Sequence, residues 1–361
     1  MIRRDLLQLV RLAESTCAIP RLGNESANAV PLPNTPTETK SDETSAEVDR
    51  FDRTPKVAVI AIGGAGGVIL TRLHLSGKLP HLDRTIAIDV SPFGMEHVVA
   101  DQKILIGDGK HRPRRADTAR FMAATVHAEI ANTVADLDLV LLIVGMGGVA
   151  GSAISLTIAE VLRDQKILCI AFVITPFDFE GPRRQKIASS AMKALSKRVD
   201  VLISFSNELY AGKAGLNTSV TDVLNQVTES IEMVCKAHIR LVCEQGLVGV
   251  DFEDIRTVLA KAGQGAVGIA TATGGESVMH ATVSAVHDNA LGIERLRTAK
   301  GVLIYFEGAP PFFKIRDASN ALNFIKSIAN DDVHIVFGAF FERSGEEHCT
   351  TMILAIGSEQ Y

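Results

Sequence analysis

Two glycine-rich segments, each directly after a predicted apolar strand, constrain the fold of this 361-residue chain more than any other feature. Gly63–Gly67 (GGAGG) follows the strand KVAVIAI, and Gly145–Ala153 (GMGGVAGSA) follows the strand DLVLLIVG. Glycines at the start of a helix let the backbone approach a phosphate, and the unpaired N–H groups of that helix end attract the anion. Two such segments on neighbouring strands can converge on one polyphosphate, so the sequence predicts a phosphate-binding site.

The first segment taken alone also fits a dinucleotide-binding fold. Gly64, Gly66 and the acidic Asp89 imitate its fingerprint, which makes a nicotinamide-dependent oxidoreductase a rival function. However, the bulky Ile69 stands where that fingerprint has a third small residue, and the second segment has no role in such a fold. A tight strand–helix turn without a ligand is a further alternative. Neither segment contains the lysine-bearing pattern of a Walker-type P-loop.

Composition excludes several classes of protein. The net charge of −5 gives no general reason to expect nucleic acid as a partner. The five cysteines are scattered and form no CxxC pair, which is typical of a reduced cytoplasmic protein and not of a disulfide framework or a zinc site. No apolar run approaches the roughly 18 residues that a membrane span needs. The sequence therefore predicts a cytoplasmic protein that binds no nucleic acid.

The N-terminal part of the chain is more polar than the rest. Residues 1–17 predict an amphipathic helix, and residues 18–55 are rich in Pro, Asn, Thr, Ser and Glu, a composition that predicts a disordered linker. The basic residues of the helix suit an anionic membrane surface, so membrane association through this segment is one prediction. A partner-binding helix and an unstructured start are the alternatives.

From Lys56 onward, apolar strands alternate with helices, which indicates a parallel sheet covered on both faces. The pattern predicts an α/β, doubly wound, mostly parallel sheet domain over 56–218 and a long central helix over 219–246. Gly246 is expected to end that helix. Residues 247–361 predict a loop followed by a smaller α+β C-terminal domain.

Five segments in order resemble the FtsZ/tubulin family, in its divergent FtsZ-like branch, and the resemblance covers nearly all of Lys56 to Gly357. VAVIAIGGAGG stands at the family's first glycine loop, and LDLVLLIVGMGGVAGSA stands at its GGGTGTG signature. VITPFDFEGPRR resembles the segment whose Glu and Arg contact the nucleotide, and VDVLISFSNELY resembles the segment whose Asn contacts the base. GVDFEDIRTVL resembles the loop that supplies catalytic acids to the next subunit. The resemblance implies the tubulin/FtsZ-like fold.

The same resemblance implies the residues of a site. The catalytic acids would be Asp251 and Asp254, acting on a nucleotide held by a neighbouring copy. GTP or GDP is the implied ligand, and Mg²⁺ is a further candidate cofactor. The implied nucleotide-binding residues are Gly63, Gly64, Gly66, Gly67, Gly147, Gly148, Gly151, Ser152, Glu180, Arg184, Asn207 and Asp222.

The function implied is that of a GTP-binding cytoskeletal protein in cell division or membrane remodelling. Its copies would assemble head to tail into filaments, because a contact of this kind does not close on itself. GTP would be hydrolysed at the interface between two subunits, which makes the chain a GTPase.

Several positions depart from the family pattern. Ala150 and Ser152 replace the signature threonines, Gly249 replaces an Asn of the catalytic loop, and Asn217 replaces the aromatic residue that stacks on guanine. The loop that senses the terminal phosphate is replaced by GDGKHRPRRAD. The candidate phosphate contacts in that loop are Lys110, Arg112, Arg114 and Arg115. These departures favour, as the alternative function, a non-hydrolysing tubulin-like scaffold with weak or no nucleotide binding.

Overall fold

The computed structural model describes residues 53–76, 81–111, 113–215, 217–288, 290–309, 313–342 and 348–357. The helix predicted over 1–17, nearly all of the linker predicted over 18–55, and Arg112 lie outside the described residues. No helix within the described ranges is both long and apolar enough to cross a membrane.

Ten strands are found within the described residues, and all of them belong to one sheet. The first six are β1 Val57–Ile62, β2 Arg84–Asp89, β3 Gln102–Leu105, β4 Leu139–Gly145, β5 Leu168–Thr175 and β6 Val201–Ser206. The later strands are β7 Gly263–Thr273, β8 Gly301–Gly308, β9 His334–Phe341 and β10 His348–Ile356. Their order across the sheet is β3–β2–β1–β4–β5–β6–β7–β10–β8–β9.

Helices connect most of the strands and cover the sheet. Those of the first half are α1 Gly63–Leu75, α2 Pro92–Glu96, α3 Ala116–Ala124, α4 His127–Val134, α5 Val149–Asp164 and α6 Pro182–Leu195. Those of the second half are α7 Asn207–Ala214, α8 Val220–Cys243, α9 Phe252–Leu259, α10 Ser277–Val286, α11 Ile293–Arg297 and α12 Ile315–Ile328. A short 3₁₀ turn, Asp178–Glu180, precedes α6.

The side chains of β1 alternate between two cores. Val57 and Val59 belong to the core that includes residues of α1, α8 and α9. Ala58 and Ile60 belong to the core on the other face, which includes residues of α3, α4, α5 and α6. All six residues of β1 are buried, as expected for a parallel strand covered on both faces. The prediction of an α/β, mostly parallel sheet is confirmed.

The sheet continues into the C-terminal half. β6 and β7 run parallel and pair from Val201 and Gly263 to Ile203 and Gly265. β10 then pairs antiparallel with both β7 and β8, whereas β8 and β9 are parallel. The strand directions are therefore mixed in this half, as an α+β architecture requires. The boundaries at residues 218 and 246 stay predictions.

One predicted helix is divided in the structure. The pattern over Arg114–Val134 predicts a single helix, but α3 ends before Thr125 and α4 begins two residues later. The hydroxyl of Thr125 donates to the carbonyl oxygen of Met122 at 2.7 Å. Threonine side chains that bond to nearby carbonyl groups compete with the helical hydrogen bonds. Thr228 makes a similar bond inside the unbroken α8, so this bond accompanies the break and does not explain it alone.

The predicted long central helix is present as α8, but it does not end at Gly246 as predicted. α8 ends at Cys243 and is capped by Glu244, whose backbone N–H still bonds into the helix. Gly246 is therefore not the stop. A Cβ at Gly246 would lie 2.5 Å from the carbonyl oxygen of Ala339, so glycine is needed there for the close approach of β9.

A buried ion cluster holds the C-terminal half of α8 against β8. The carboxylate of Glu307, a residue only 4 % exposed, accepts a hydrogen bond from Lys236 Nζ at 2.9 Å. Arg240 pairs with the same carboxylate and also donates to the hydroxyl of Tyr305 at 3.1 Å. Removing one member of such a cluster leaves a buried charge and costs about 3–5 kcal/mol. The cluster therefore fixes α8 relative to the C-terminal strands.

Candidate functional site

A pocket of about 390 Å³ opens where β1, β4, β5 and β6 end, which we call the carboxyl edge of the sheet. Parallel strands bring their carboxyl ends to one edge, and open α/β sheets bind ligands there. The lining comes from the starts of α1, α7 and α8 and from the ends of β4 and β5. One lining residue from each is Ala65, Asn207, Val220, Gly145 and Thr175.

The two glycine segments meet in this pocket. Ala65 lies in the first segment and Gly145 in the second, and a Cβ added at Gly145 would lie 2.9 Å from the Cβ of Ala65. Gly64 and Gly148, one in each segment, face open space, because an added Cβ would meet no atom within 4 Å. Helix N-termini carry N–H groups without partners in the helix. A ligand in the pocket can therefore approach both segments, at Ala65 in the first and at Gly145 in the second.

Other glycines of the two segments serve the fold. A Cβ at Gly66 would lie 2.9 Å from the carbonyl oxygen of Ile143, and a Cβ at Gly67 would lie 2.6 Å from a valine methyl group. Both residues therefore let α1 pack closely on its neighbours. Gly63 and Gly147 have φ angles of 73° and 94°, in the left-handed region that favours glycine.

Glu180 and Arg184 line the pocket and form an ion pair with each other. Glu180 also accepts a hydrogen bond from the backbone N–H of Phe177 at 3.0 Å, which fixes its carboxylate in the turn before α6. The Arg184 side chain is 57 % exposed. A guanidinium has five N–H donors, so Arg184 keeps donors for an anion in addition to those facing Glu180.

Asn207, the first residue of α7, lines the pocket and is only 5 % exposed. Its Oδ1 is buried and accepts no hydrogen bond from any residue that the structure describes. Leaving such an atom unsatisfied costs about 1–3 kcal/mol, a cost that a donor on a bound ligand would remove. This atom and the open glycines fit a nucleotide in the pocket.

Of the twelve predicted binding residues, only Glu180, Arg184 and Asn207 are among the described residues that line the pocket; the seven glycines, Ser152 and Asp222 are not. A Cβ at Gly151 would lie 3.1 Å from a carbonyl oxygen of the second glycine segment. The buried hydroxyl of Ser152 donates to the sulfur of Met146 at 3.6 Å. Asp222 accepts a hydrogen bond from the hydroxyl of Ser219 at 2.7 Å, at the N-terminus of α8. Their contacts with a nucleotide stay predictions.

An aromatic pair in the pocket was missed from the sequence. The rings of Phe177 and Phe179 stack with their centroids 4.8 Å apart, and both residues line the pocket. Phe177 is buried, whereas Phe179 is 72 % exposed. An exposed ring beside a pocket offers a surface on which a planar ligand ring can stack. The available signal was the repeated phenylalanine in TPFDFEG.

The basic loop before α3 does not reach the pocket. Arg114 instead lines a groove between α3, α5 and α6, and neither Lys110 nor Arg115 is among the lining residues of the pocket. The side chain of His111 bonds to Asp108 at 2.7 Å, and this hydrogen bond, with those of two backbone N–H groups, lowers the pKa of Asp108 to about 2. The contact of these basic residues with a phosphate stays a prediction.

Asp89 has a local role at the end of β2. Its carboxylate accepts hydrogen bonds from the backbone N–H groups of Val90 at 2.6 Å and Ser91 at 3.1 Å, which closes the turn into α2. One carboxylate oxygen of the acid that resembles part of a dinucleotide fingerprint is thus bonded to the backbone. Within the described ranges, no group of three or more His, Cys, Asp or Glu side chains is arranged to hold a metal ion.

Asp251 and Asp254 lie at the opposite edge, where the parallel strands begin, which we call the amino edge. Arg256, on the same helix α9, donates to the carbonyl oxygen of Lys166 at 2.7 Å, just before β5. Asp251 caps α9 and accepts a hydrogen bond from the N–H of Glu253 at 3.1 Å. Asp254 is exposed and forms no ion pair with a described residue.

The helix α8 connects the two edges. At its start, Val220 and Leu224 line the pocket. At its end, the sulfur of Cys243 lies 3.6 Å from the carbonyl oxygen of Pro55, which precedes β1. The 24 residues of α8 correspond to about 36 Å at 1.5 Å per residue. The pocket and the two acids of one chain are therefore too far apart to meet.

Both halves of the chain match models of known protein families. Residues 56–213 match the model described as Tubulin/FtsZ family, GTPase domain. Residues 263–359 match the model described as FtsZ family, C-terminal domain. The first match contains both glycine segments and Asn207, and the second begins with β7.

Curated relatives include cell division proteins named FtsZ. The protein of Magnetospirillum gryphiswaldense is 27 % identical over 316 residues, which are 85 % of this chain and 55 % of that protein. The chain thus spans little more than half of this relative. The protein of Helicobacter pylori is 28 % identical over 311 residues, which are 84 % of this chain and 80 % of that protein.

Solved structures share the fold. An FtsZ dimer from M. jannaschii has a TM-score of 0.79 at 24 % identity, covering 88 % of this chain and 93 % of that one. CetZ2 from Haloferax volcanii, solved as a GTPγS-bound protofilament, has a TM-score of 0.72 at 18 % identity, covering 84 % of this chain and 94 % of that one. The tubulin/FtsZ-like fold predicted from the sequence is confirmed.

Proposed function

Because the chain belongs to the Tubulin/FtsZ family, as its matches to the GTPase domain and the C-terminal domain show, we propose that it is a GTP-binding cytoskeletal protein that assembles head to tail. GTP binds in the pocket at the carboxyl edge. It is hydrolysed where a second copy brings the acids of its amino edge to that pocket. The observation that carries the proposal is the position of the pocket and of these acids at opposite edges of one sheet.

The pocket supplies the groups that hold the nucleotide. The open backbone around Gly64 and Gly148 accepts the phosphates, and Arg184 adds a positive charge beside them. Asn207 offers its unsatisfied amide to the base or ribose, with the ring of Phe179 nearby. Phosphoryl transfer needs mainly positioning and charge stabilisation from a protein, and these groups provide both.

The acids come from the neighbouring copy. Asp254 is exposed at the amino edge and forms no ion pair with a described residue, so its carboxylate is available to another molecule. A free carboxylate can orient a water molecule or serve as a ligand for Mg²⁺. Asp251, which caps the same helix, stands at the start of the same turn.

Assembly follows from this division of the site. A contact between the carboxyl edge of one copy and the amino edge of the next leaves one free edge at each end, so it generates filaments. Two proteins of similar fold were solved as a dimer and as a protofilament, which supports self-association of this chain. Filaments of this kind would act in cell division or membrane remodelling.

Residues 1–17 lie outside the described residues, and we retain for them the proposal of a contact with an anionic membrane. The test is co-sedimentation with vesicles containing phosphatidylglycerol, comparing the full chain with a chain that starts at Lys56. The full chain should sediment and the shortened chain should remain in solution. Equal behaviour of the two proteins would reject this role.

The experiment that tests the proposed function is the substitution Asp254→Ala. Phosphate release from GTP should fall at least about 100-fold, since the group that orients the attacking water is lost, while the affinity for GTP stays within about twofold. Glu253→Ala is the matched control, because Glu253 is an acid on the same turn that faces Arg256 at 3.7 Å. It should retain turnover.

Wild-type turnover per molecule should also rise with protein concentration, because the complete site exists only between two copies. Unchanged turnover in Asp254→Ala would reject the acid in trans. A wild-type protein that binds GTP weakly and releases no phosphate at any concentration would instead favour the alternative function, a non-hydrolysing scaffold.

A further inference from the structure

A groove of about 510 Å³ lies between α3, α5 and α6; its lining includes Ser152 of the second glycine segment but none of the described residues that line the nucleotide pocket. Apolar side chains form its floor, among them Val149 and Leu156 from α5 and Ile187 and Ala191 from α6. Leu156 and Ile187 are only partly buried. The groove is therefore a concave apolar surface on the outside of the two helices.

Basic side chains surround this apolar floor, and no acidic residue is among the described lining residues. The five basic lining residues are Arg114, Arg120, Arg183, Lys186 and Arg198. Two of them have acidic partners: Arg120 pairs with Asp117 at 3.2 Å, and Arg198 pairs with Glu160 at 2.8 Å. The other three are exposed and form no ion pair with any described residue.

This concentration of positive charge is unusual for the molecule. The chain has a net charge of −5, yet residues 182–198, which contain α6, hold six basic residues and no acidic one. Like charges on neighbouring turns of a helix repel each other, so the fold does not gain from this arrangement. A ligand of opposite charge would gain from it.

We propose that this groove is a docking site for an acidic amphipathic helix of a partner protein. The apolar face of such a helix would lie on the floor of the groove, in the helix-in-groove mode of recognition. Its carboxylates would pair with Arg114, Arg183 and Lys186 on the rim. Arginine is suited to this role because its guanidinium can bind a carboxylate through two parallel hydrogen bonds.

The shape of the groove favours a helix over a membrane surface. Small side chains, including Ala153, Ser190 and Ala194, line it and let the axis of another helix approach closely. A flat lipid surface would contact the basic rim but would leave the apolar floor unburied. Binding to a membrane would then depend on the basic rim alone, whereas binding of a helix would also depend on the apolar floor. Substitutions in the floor can therefore distinguish the two.

The test uses the full chain and a synthetic, fluorescein-labelled helical peptide of about 18 residues. Leucines at every third or fourth position form one face of the peptide, and glutamates flank them; a second peptide carries lysine in place of each glutamate. Only the acidic peptide should bind to the wild-type chain in fluorescence anisotropy. The double variant Arg183→Glu/Lys186→Glu should weaken its binding at least about tenfold and should bind the lysine peptide instead.

The matched control is Lys193→Glu/Lys197→Glu, which makes the same charge change on the same stretch of chain but outside the groove. It should bind the acidic peptide as the wild type does. Ile187→Asp should weaken binding through the apolar floor, and circular dichroism melting checks that each variant is folded. Equal loss in the control, or no binding of the acidic peptide, would overturn the proposal. The proposal would also be overturned if Arg183→Glu/Lys186→Glu bound phosphatidylglycerol vesicles more weakly than the wild type but bound the acidic peptide equally well.

Discussion

The carboxyl edge and the amino edge of the sheet offer different chemistry. At the carboxyl edge, Gly64 and Gly148 leave the backbone open, and Asn207 holds a buried amide oxygen that no described residue satisfies. Among the described lining residues the acid is Glu180, and it is paired with Arg184. The pocket at this edge is therefore equipped to bind an anion, but none of its described lining residues offers an unpaired carboxylate to activate water.

The amino edge has the opposite properties. Asp254 is exposed beside the helix cap Asp251 and has no cationic partner among the described residues. The helix α8, about 36 Å long, separates this edge from the pocket of the same chain. Under the proposed function neither edge is a complete catalytic site, so activity depends on two copies.

The largest effect is expected from a substitution that disrupts the carboxyl edge alone. Gly148→Glu should lower the affinity for GTP at least about 100-fold, or roughly 2.7 kcal/mol, because a carboxylate would occupy the place of a phosphate. The fold should tolerate it, since Gly148 has a φ of −84° and an added Cβ meets no atom within 4 Å. Binding of a fluorescent GTP analogue measures the effect.

Gly275→Glu is the control for that substitution. Gly275 also precedes a helix, α10, and an added Cβ there meets no atom within 4 Å, but it belongs to neither glycine segment. This variant should bind GTP like the wild type. If Gly148→Glu bound GTP normally as well, the second glycine segment would not be a phosphate site.

A mixing experiment tests whether the two edges act together across a contact. Gly148→Glu keeps its acids and loses its pocket, whereas Asp254→Ala keeps its pocket and loses its acid. Neither variant alone should release phosphate from GTP. In an equal mixture, about one contact in four joins an intact pocket to an intact acid, so turnover should return to roughly a quarter of the wild-type rate.

The mixture separates an acid in trans from an acid in cis. If Asp254 acted on the nucleotide of its own chain, no mixture of the two variants would contain an intact site, and turnover would stay at the background of each variant. Mixing Asp254→Ala with wild type at the same total concentration provides the reference rate.

The position of a pocket at the carboxyl edge could be predicted from the sequence, but the roles of its individual glycines could not. Continuous apolar strands such as KVAVIAI, followed by glycines, predict a phosphate site at the ends of parallel strands. β1 is buried as predicted and a pocket lies at this edge, whereas phosphate binding there stays a prediction. The sequence could not distinguish Gly66, which packs against β4, from Gly148, which faces open space. That difference depends on the backbone of a strand distant in sequence.

The amino edge could be predicted only through the family resemblance. Asp251 and Asp254 have the spacing of ordinary residues at a helix start, and no local pattern distinguishes them from capping acids. Gly246 was expected as a helix stop, but its role depends on contact with β9. The exposure of Phe179 likewise depends on how the turn before α6 packs, which a one-dimensional pattern does not contain.

The smallest expected effect concerns the C-terminal half of α8. His238 is 1 % exposed, and its Nδ1 bonds to the carbonyl oxygen of Val234 at 2.7 Å. Its ring lies edge-on to Phe172, with centroids 5.9 Å apart. Burial lowers the pKa of His238 from 6.5 to about 4, because the charged imidazolium loses its hydration. The residue is therefore neutral in the folded protein at neutral pH.

This lowered pKa makes stability depend on pH in a known direction. Between pH 6.5 and about 4 the unfolded chain binds a proton at this histidine and the folded chain does not, so acid favours unfolding. From pH 7 to pH 5, His238 should reduce the free energy of unfolding by about 2 kcal/mol. In urea unfolding, His238→Leu should remove that part of the loss, whereas His334→Leu, at an exposed position of β9, should not. If His238→Leu and the wild type lost the same free energy of unfolding between pH 7 and pH 5, His238 would not be a buried neutral histidine. The loss of stability in acid would then come from other groups.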